Sequence, residues 1–312
     1  MTVVRKKRLK IKKKNFTIFI ICILLILTSI TYSIKLITKS LNKKETEITN
    51  KEKSNKKEFS KITYYNKKNQ SRYEKYQSLN PNLSIEKIVT EVNIGLDNDY
   101  YTNDTKAINL NKEYILVNKY NYLTKDYVPD NLETISNQYA LENMQMVNYA
   151  KEAFEEMAKA AKKENLSIIA MSTYRSYEYQ ISLYDKYVKI DGKEKADTYS
   201  GRPGYSEHQT GLAVDVYNGK ESYTNFEITE EFKWMEKNAY KYGFILRFPK
   251  DKTKETGYDY ESWHYRYVGK EIAKYIQENN ISYEEYYVKY IENKKDWNLN
   301  LFLIIFFLKI FK

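Results

Sequence analysis

The chain has 312 residues, 42% of them hydrophobic and 15% aromatic, which is enough apolar surface to bury the core of one sizeable domain with appendages. Its net charge of +11 is unevenly distributed: residues 1–14 contribute +8 and residues 35–68 contribute +7, leaving −4 for residues 69–312, so nucleic acid is not an expected partner. The single cysteine, Cys22, excludes an internal disulfide, and any metal site elsewhere must use His, Asp or Glu ligands.

The N-terminal region predicts a membrane anchor. Residues 16–34 carry no formal charge, and nineteen residues at about 1.5 Å each roughly span a hydrocarbon core of about 30 Å. We therefore predict a cytoplasmic basic segment over 1–14 and a single-pass transmembrane signal-anchor over 15–37, with the remaining chain outside the cell membrane. A cleaved signal peptide is the less favoured alternative, because no A-x-A-like site follows. A lipoprotein reading of Cys22 is weaker still, since most of the apolar run follows it.

Two further segments flank the predicted domain. Residues 38–70 are polar, rich in Lys and without apolar periodicity, which predicts an extended, solvated linker. Residues 293–312 form an apolar tail whose run over 299–308 is too short to span a bilayer as a helix. The tail could dock on the domain, lie at the membrane interface or stay loosely ordered.

The interval 71–292, with a core over 110–275, is the predicted folded domain. Strands and helices interleave without βαβ or other repeats, which predicts a compact α+β domain with an antiparallel sheet. The predicted strands are 115–117, 166–172, 212–217, 243–248 and 263–268, and the predicted helices are 134–164, 177–189, 229–241 and one beginning near 269. On the helix 134–164, the three- and four-residue spacing predicts a buried stripe of Ala150, Ala153, Phe154, Met157, Ala158 and Ala161.

Three residues are candidates for metal ligands. His208 ends a Gly-containing loop, Asp215 lies within an otherwise apolar strand, and His264 opens another strand. A carboxylate in such a strand is costly unless it is paired or binds a metal. Two His and one carboxylate form a common catalytic zinc set with a fourth position for water. Spacing alone leaves a metal site and ordinary structural histidines as equal alternatives.

Hydrolysis at such a metal requires two more groups. A carboxylate that is not a ligand must take the proton from water and pass it to the leaving amine, and Glu261 is placed for this role. A cation must stabilise the developing oxyanion, and Arg175, directly after a core strand, is the candidate. Arg175 could equally be a salt-bridge partner at the start of a helix.

Five blocks in order resemble the M15 zinc carboxypeptidases, and most closely the VanY-like (M15B-type) D-alanyl-D-alanine carboxypeptidases. They span about residues 110–275 and are LVNKYNYLTKDYVPDNL, STYRSYEYQ, GRPGYSEHQTGLAVD, YGFILRFP and ESWHYRYVG. The resemblance implies one zinc ion per chain, held by His208, Asp215 and His264. It also implies a small zinc peptidase domain of the Hedgehog/DD-peptidase-like type, with a central antiparallel sheet flanked by helices.

The resemblance further implies roles around the metal. Glu261 matches the catalytic base and Arg175 the partner of the substrate carbonyl. Gln180 matches a substrate-binding position that lines the pocket, and Ser206 matches one that contacts the terminal region of the substrate. Trp263 is a further candidate for substrate binding. The implied reaction is hydrolysis of the C-terminal D-Ala from peptidoglycan stem peptides. L,D-carboxypeptidase or endopeptidase activity on such peptides is one alternative, and a non-catalytic cell-wall binding module or a membrane-anchored scaffold are others.

Overall fold

The computed structural model describes residues 13–102 and 104–292. The predicted tail 293–312 and nearly all of the predicted cytoplasmic segment lie outside the described residues. The chain divides into two units, one ending at Glu58 and the other beginning at Phe59.

The described residues contain ten α-helices and eight strands. The helices are α1 Lys13–Phe59, α2 Gln70–Leu79, α3 Ile85–Ile94, α4 Asn148–Lys163, α5 Tyr177–Asp191, α6 Lys193–Tyr199, α7 Glu230–Asn238, α8 Thr253–Thr256, α9 Lys270–Asn279 and α10 Tyr283–Tyr290. The strands are β1 Thr105–Lys106, β2 Asn121–Tyr122, β3 Leu132–Thr134, β4 Gln145–Val147, β5 Ile169–Ser172, β6 Ala213–Tyr217, β7 Phe244–Leu246 and β8 His264–Tyr267.

The first unit is helical. Within α1, the segment Ile18–Lys43 is long and apolar enough to cross a membrane, and Leu25, for example, leaves 64% of its surface exposed. The helix continues to Phe59, so the prediction of an extended linker over 38–70 is wrong for its first two thirds. This stretch contains no Gly or Pro and is rich in Lys and Glu, which favour helix even without an apolar stripe.

The second unit begins earlier than residue 71. Phe59 and Tyr64 are buried in a small cluster formed with residues of α2 and α3. Ser84 caps α3, its side chain accepting a hydrogen bond from the Lys87 amide, and Gly95 ends the helix in the left-handed conformation. The stretch 59–70 is therefore part of the folded unit, because its aromatic side chains supply core that α2 and α3 lack on their own.

The central sheet has four antiparallel strands in the order β5-β6-β8-β7, which confirms the predicted α+β class. All six residues of the predicted stripe on α4 are buried against one face of this sheet. On that face Val214 and Val216 of β6 join the same core, while Phe154 meets Phe244 of β7 edge-on at 6.2 Å between ring centroids. The other side chains of β6, including Asp215, therefore point away from α4.

Two predicted elements differ from the observed ones. The helix predicted to begin at residue 134 begins at Asn148, because residues 132–147 form the antiparallel pair of β3 and β4. Residues 115–117 are buried but belong to none of the described strands. The first error arises because strand pairing between β3 and β4 overrides the helix-favouring composition of residues 134–147.

Gly211 is required by the turn between His208 and Asp215. It ends a 3-10 turn over Glu207–Thr210 with φ of +67°, where L side chains are strained. A Cβ there would lie 2.9 Å from Leu132 Cδ2 and 3.1 Å from Val147 Cγ2. Glycine at this position thus lets the turn pack against β3 and β4.

We expect Gly211→Ala to lower the free energy of unfolding by about 1–2 kcal/mol from backbone strain alone, with crowding adding to the loss. The loss should appear as a fall of several degrees in Tm by circular dichroism. Asn165→Ala is the control, because Asn165 also has positive φ, at 63°, but its side chain is exposed. Equal losses in the two variants would show that the close packing around Gly211 contributes nothing.

Candidate active site

The sheet brings the three predicted ligands together from separate parts of the sequence. Asp215 lies in the middle of β6 and is paired in register with His264, the first residue of β8. Ser172, at the end of β5, pairs with Asp215 from the other side. His208 lies in the 3-10 turn that precedes β6, and this turn is joined to the loop after β5 by a hydrogen bond from the Arg175 amide to the His208 carbonyl.

The side chains converge on one point. His208 Nε2 lies 3.3 Å from Asp215 Oδ2, and His264 Nδ1 lies 2.8 Å from Asp215 Oδ1. The three candidate ligand atoms all lie within 4.8 Å of one another, and all three residues are buried. His208 Nδ1 is 2.6 Å from the carbonyl oxygen of Thr173, which favours a proton on Nδ1 and leaves Nε2 free to bind a metal.

The protonation of these residues follows from burial and from their neighbours. Burial, aided by the charge of Arg175, lowers the pKa of His208 to about 4. Burial also disfavours the His264 cation, but the hydrogen bond to Asp215 and the nearby carboxylate of Glu207 outweigh it and raise the pKa of His264 to about 9. Burial acts against the Asp215 anion as well, yet the two imidazoles hold its pKa well below the usual range. The metal-free site is therefore a buried carboxylate paired with one imidazolium.

Arg175 and Glu261, the two predicted catalytic residues, lie on either side of the ligands. Arg175 Nη1 donates to Ser172 Oγ at 3.1 Å and lies 3.7 Å from Asp215 Oδ2. Glu261 is buried with Oε2 3.8 Å from His264 Nδ1. Burial raises the pKa of Glu261 to about 8, with His264 acting in the opposite direction. Both residues are thus next to the ligands without belonging to the three-residue cluster.

The ligands line a cavity of about 490 Å³. Arg175, Glu261 and two of the predicted substrate-binding residues, Ser206 and Trp263, also line it. Much of the remaining wall is aromatic, and it includes Tyr179, Tyr187, Tyr199, Tyr205, Tyr223 and Tyr258. The cavity therefore combines charged groups at one place with a largely aromatic wall, an arrangement suited to a small molecule or peptide.

Gln180 occupies a different place from the other predicted substrate contacts. It is buried behind the cavity wall, where its Nε2 donates to the carbonyl oxygen of Gly201 at 2.7 Å. Gly201 and Ser200 line the cavity, whereas Gln180 supports them from behind. Its Oε1 is buried without a hydrogen-bond partner among the described residues.

Comparisons with known proteins agree with this site. A family model described as VanY, D-alanyl-D-alanine carboxypeptidase, matches residues 143–270, which contain every predicted site residue. The Bacillus subtilis protein YodJ, which carries a provisional carboxypeptidase name, is 43% identical over 203 residues, covering 61% of this chain and 74% of YodJ. The chain belongs to the VanY family. As a member of that family, it is a metallo-carboxypeptidase.

Other relatives of this VanY-family chain have more specific names. A D-alanyl-D-alanine carboxypeptidase of Enterococcus faecium is 40% identical over 166 residues, which cover 52% of this chain and 51% of that protein. The solved structure of the LdcB LD-carboxypeptidase, described as revealing the molecular basis of peptidoglycan recognition, is 44% identical. The match covers 56% of this chain and 85% of LdcB, with a TM-score of 0.53.

The donor set fits the zinc ion of this VanY-family enzyme. His208 Nε2, a carboxylate oxygen of Asp215 and His264 Nδ1 would hold it, a set that leaves a fourth position for water. The carboxylate between the two imidazoles also supplies the negative charge that a buried dication needs. The prediction of one zinc site formed by these three residues therefore agrees with the observed cluster.

Glu207 is a charged residue of the site that the sequence did not identify. Its Oε2 lies 3.6 Å from His264 Nε2, the nitrogen that faces away from the metal position. An acidic residue in a polar loop is usually solvated, so nothing local signals that Glu207 is buried. Its burial depends on Arg247 and Arg266, which come from positions at least forty residues later in the chain.

Zinc binding to the metal-free protein is expected to release at least one proton at about pH 7.5. His264, with its pKa raised to about 9, is protonated at that pH and can bind zinc only after losing the proton. The apparent zinc affinity should therefore rise as the pH increases from 7 towards 9. Titration calorimetry in buffers of different ionisation enthalpy measures the release, and a buffer-independent enthalpy would contradict the assignment.

Proposed function

We propose that the protein is a zinc-dependent D,D-carboxypeptidase that hydrolyses the C-terminal D-Ala from peptidoglycan stem peptides. The observation that supports this most directly is the position of the buried Glu261 carboxyl beside, but outside, the His208, Asp215 and His264 cluster. A hydrolytic zinc site needs such a carboxylate in addition to its ligands. The relative named for this activity adds support.

In the proposed reaction, the zinc ion supplies Lewis acidity to the scissile carbonyl and a water of lowered pKa. Glu261 accepts a proton from the attacking water while the hydroxyl oxygen bonds to the carbonyl carbon. Arg175, whose Nε is buried without a partner among the described residues, donates to the substrate carbonyl oxygen as negative charge develops there. When the C–N bond breaks, Glu261 returns the proton to the amine of the leaving D-Ala.

We further propose that the cavity wall orients the stem peptide. Ser206 and Trp263 would contact the peptide near its terminus, and Trp263 is itself braced edge-on by Tyr223 at 5.0 Å between ring centroids. Gln180 would act indirectly by fixing Ser200 and Gly201 of the wall.

The location of the enzyme is part of the proposal. The exposed apolar residues of Ile18–Lys43 support a single membrane-spanning helix, since such a surface is unfavourable in water. With the basic segment 1–14 cytoplasmic, the unit from Phe59 onward would lie outside the cell membrane, where peptidoglycan is found.

L,D-carboxypeptidase activity is the second candidate function, and the likeness to LdcB favours it. The two activities differ in the substrate, a pentapeptide ending in D-Ala-D-Ala or a tetrapeptide ending in an L,D bond. We expect the full chain in detergent, loaded with zinc, to release D-Ala from the pentapeptide at a higher kcat/KM than from the tetrapeptide. Mass spectrometry of the products measures both rates, and preferential cleavage of the tetrapeptide would assign the second function instead.

Glu261→Gln is expected to lower kcat by about 10²–10⁴-fold, because the amide cannot accept the proton from water. Zinc should remain bound at one ion per chain, since Glu261 is not one of the three ligands. Asp259→Asn is the matched control in the same loop, where the carboxylate is half-exposed and pairs with Lys195 outside the cavity. Unchanged hydrolysis in Glu261→Gln would exclude Glu261 as the base, whereas loss of zinc would make it a ligand.

A further inference from the structure

Four charged side chains are buried together beside the proposed zinc site. Two are glutamates and two are arginines, and each has a side-chain exposure of 3% or less: Glu207, Arg247, Arg266 and Glu284. Such a group is stable only when every charge is paired and hydrogen-bonded. Its members come from the turn before β6, from β8, from the residue after β7 and from α10.

Arg247 connects the two glutamates through different edges of its guanidinium. Its Nη1 and Nη2 donate to the two carboxylate oxygens of Glu284 at 2.9 and 2.5 Å, and its Nε donates to Glu207 Oε1 at 2.9 Å. A bidentate pair fixes the plane of the rigid guanidinium. Glu284 therefore sets the direction in which Arg247 Nε points towards Glu207.

The same arrangement leaves one carboxylate oxygen of Glu207 available to contact His264, one of the proposed metal ligands. Oε1 accepts hydrogen bonds from both Arg247 Nε and Arg266 Nη1, the latter at 3.2 Å. Oε2 and His264 Nε2 are both buried without a hydrogen-bond partner among the described residues, and they lie 3.6 Å apart. A small rotation of either side chain would make this contact a hydrogen bond from Nε2 to Oε2.

We propose that Glu284, on helix α10, is a positioning residue for the zinc site. It orients Arg247. Arg247 and Arg266 together hold Glu207 so that its Oε2 accepts a hydrogen bond from His264 Nε2. A carboxylate on the distal nitrogen fixes the tautomer of a ligating histidine and makes it a stronger ligand. The inference rests on the zinc centre of the proposed function, but it does not depend on which peptide bond is cut.

This role lies outside the part of the chain that the family model covers. The match ends at residue 270, whereas α10 spans Tyr283–Tyr290. Helix α10 is held in place by Asn118, which donates to Glu284 at 3.2 Å, and by an ion pair from Lys289 to Glu86 of α3 at 3.0 Å. Helix α10 thus reaches the proposed zinc site through a continuous set of buried polar contacts, from Glu284 through Arg247 to Glu207.

The test compares Glu284→Gln with Glu285→Gln in the full chain. Glu285 is the next residue on α10 but pairs with Lys289 instead of Arg247, so it provides a matched control. Zinc dissociation constants are measured by competition with a chromophoric chelator in detergent. We expect Glu284→Gln to bind zinc about 10-fold more weakly than the unmodified chain and Glu285→Gln to bind it equally well. Equal zinc affinity in Glu284→Gln and the unmodified chain overturns the proposal.

A charge-balanced variant covers the case in which Glu284→Gln fails to fold. Arg247→Met with Glu284→Met removes one charge of each sign, which avoids an unpaired buried charge. If the contacts position Glu207, this double variant also binds zinc more weakly, because Glu207 has lost one of its two donors. Zinc affinity restored to that of the unmodified chain would mean that Glu284 acts only through charge balance. Failure of the stem-peptide assay would leave these affinities unaffected, so the two hypotheses fail separately.

Discussion

The pairing of Asp215 with His264 across β6 and β8 is the contact on which the rest of the site depends. Because the two residues are opposite each other in register, their side chains leave the sheet on the same face, away from α4. A slip of one residue would turn Asp215 towards the apolar core, where a carboxylate has no partner. The aliphatic face of β6, with Val214 and Val216 packed in the core, therefore specifies the geometry of the metal ligands.

Because the charged residues of the site are buried, each of them needs a partner of opposite charge. Asp215 is paired with two imidazoles, and Glu207 is paired with Arg247 and Arg266. Removing one partner of such a buried pair typically costs about 3–5 kcal/mol, because the remaining charge is left without solvent. These ion pairs connect the central sheet to the turn before β6 and to the residue after β7. They lie around the proposed metal position.

The candidate metal-binding and catalytic residues could be identified from the sequence because each lies in a short motif. His208 and Asp215 share one of the five blocks, and Glu261 and His264 share another. The buried stripe of α4 could also be predicted, since helical spacing alone identifies it. The antiparallel character of the sheet could be predicted as well, because the strands are not linked by βαβ repeats.

What could not be predicted depends on contacts between distant residues. The start of the folded unit at Phe59 depends on a cluster with α2 and α3 rather than on composition. The helical continuation of α1 beyond residue 37 has no apolar stripe to indicate it, and only its composition, rich in Lys and Glu and without Gly or Pro, favours a helix. The link from Glu207 to Glu284 joins residues 77 positions apart, through Arg247, which lies in one of the five blocks but has no role there that the sequence indicates.

Two buried carboxylates near His264 acquire opposite properties from their surroundings. Asp215 contacts both imidazoles, and its pKa lies well below the ordinary range, so it is an anion ready to bind a cation. Glu261 lies 3.8 Å from His264 and is dominated by burial, which raises its pKa to about 8 and makes it able to accept and return a proton near neutral pH. A bound dication would lower the pKa of Glu261 and so favour its carboxylate form, which is the form that acts as a general base. Neighbouring acids in hydrolytic sites take different roles when their environments give them different pKa values. The difference between Asp215 and Glu261 therefore supports a ligand role for the first and a base role for the second.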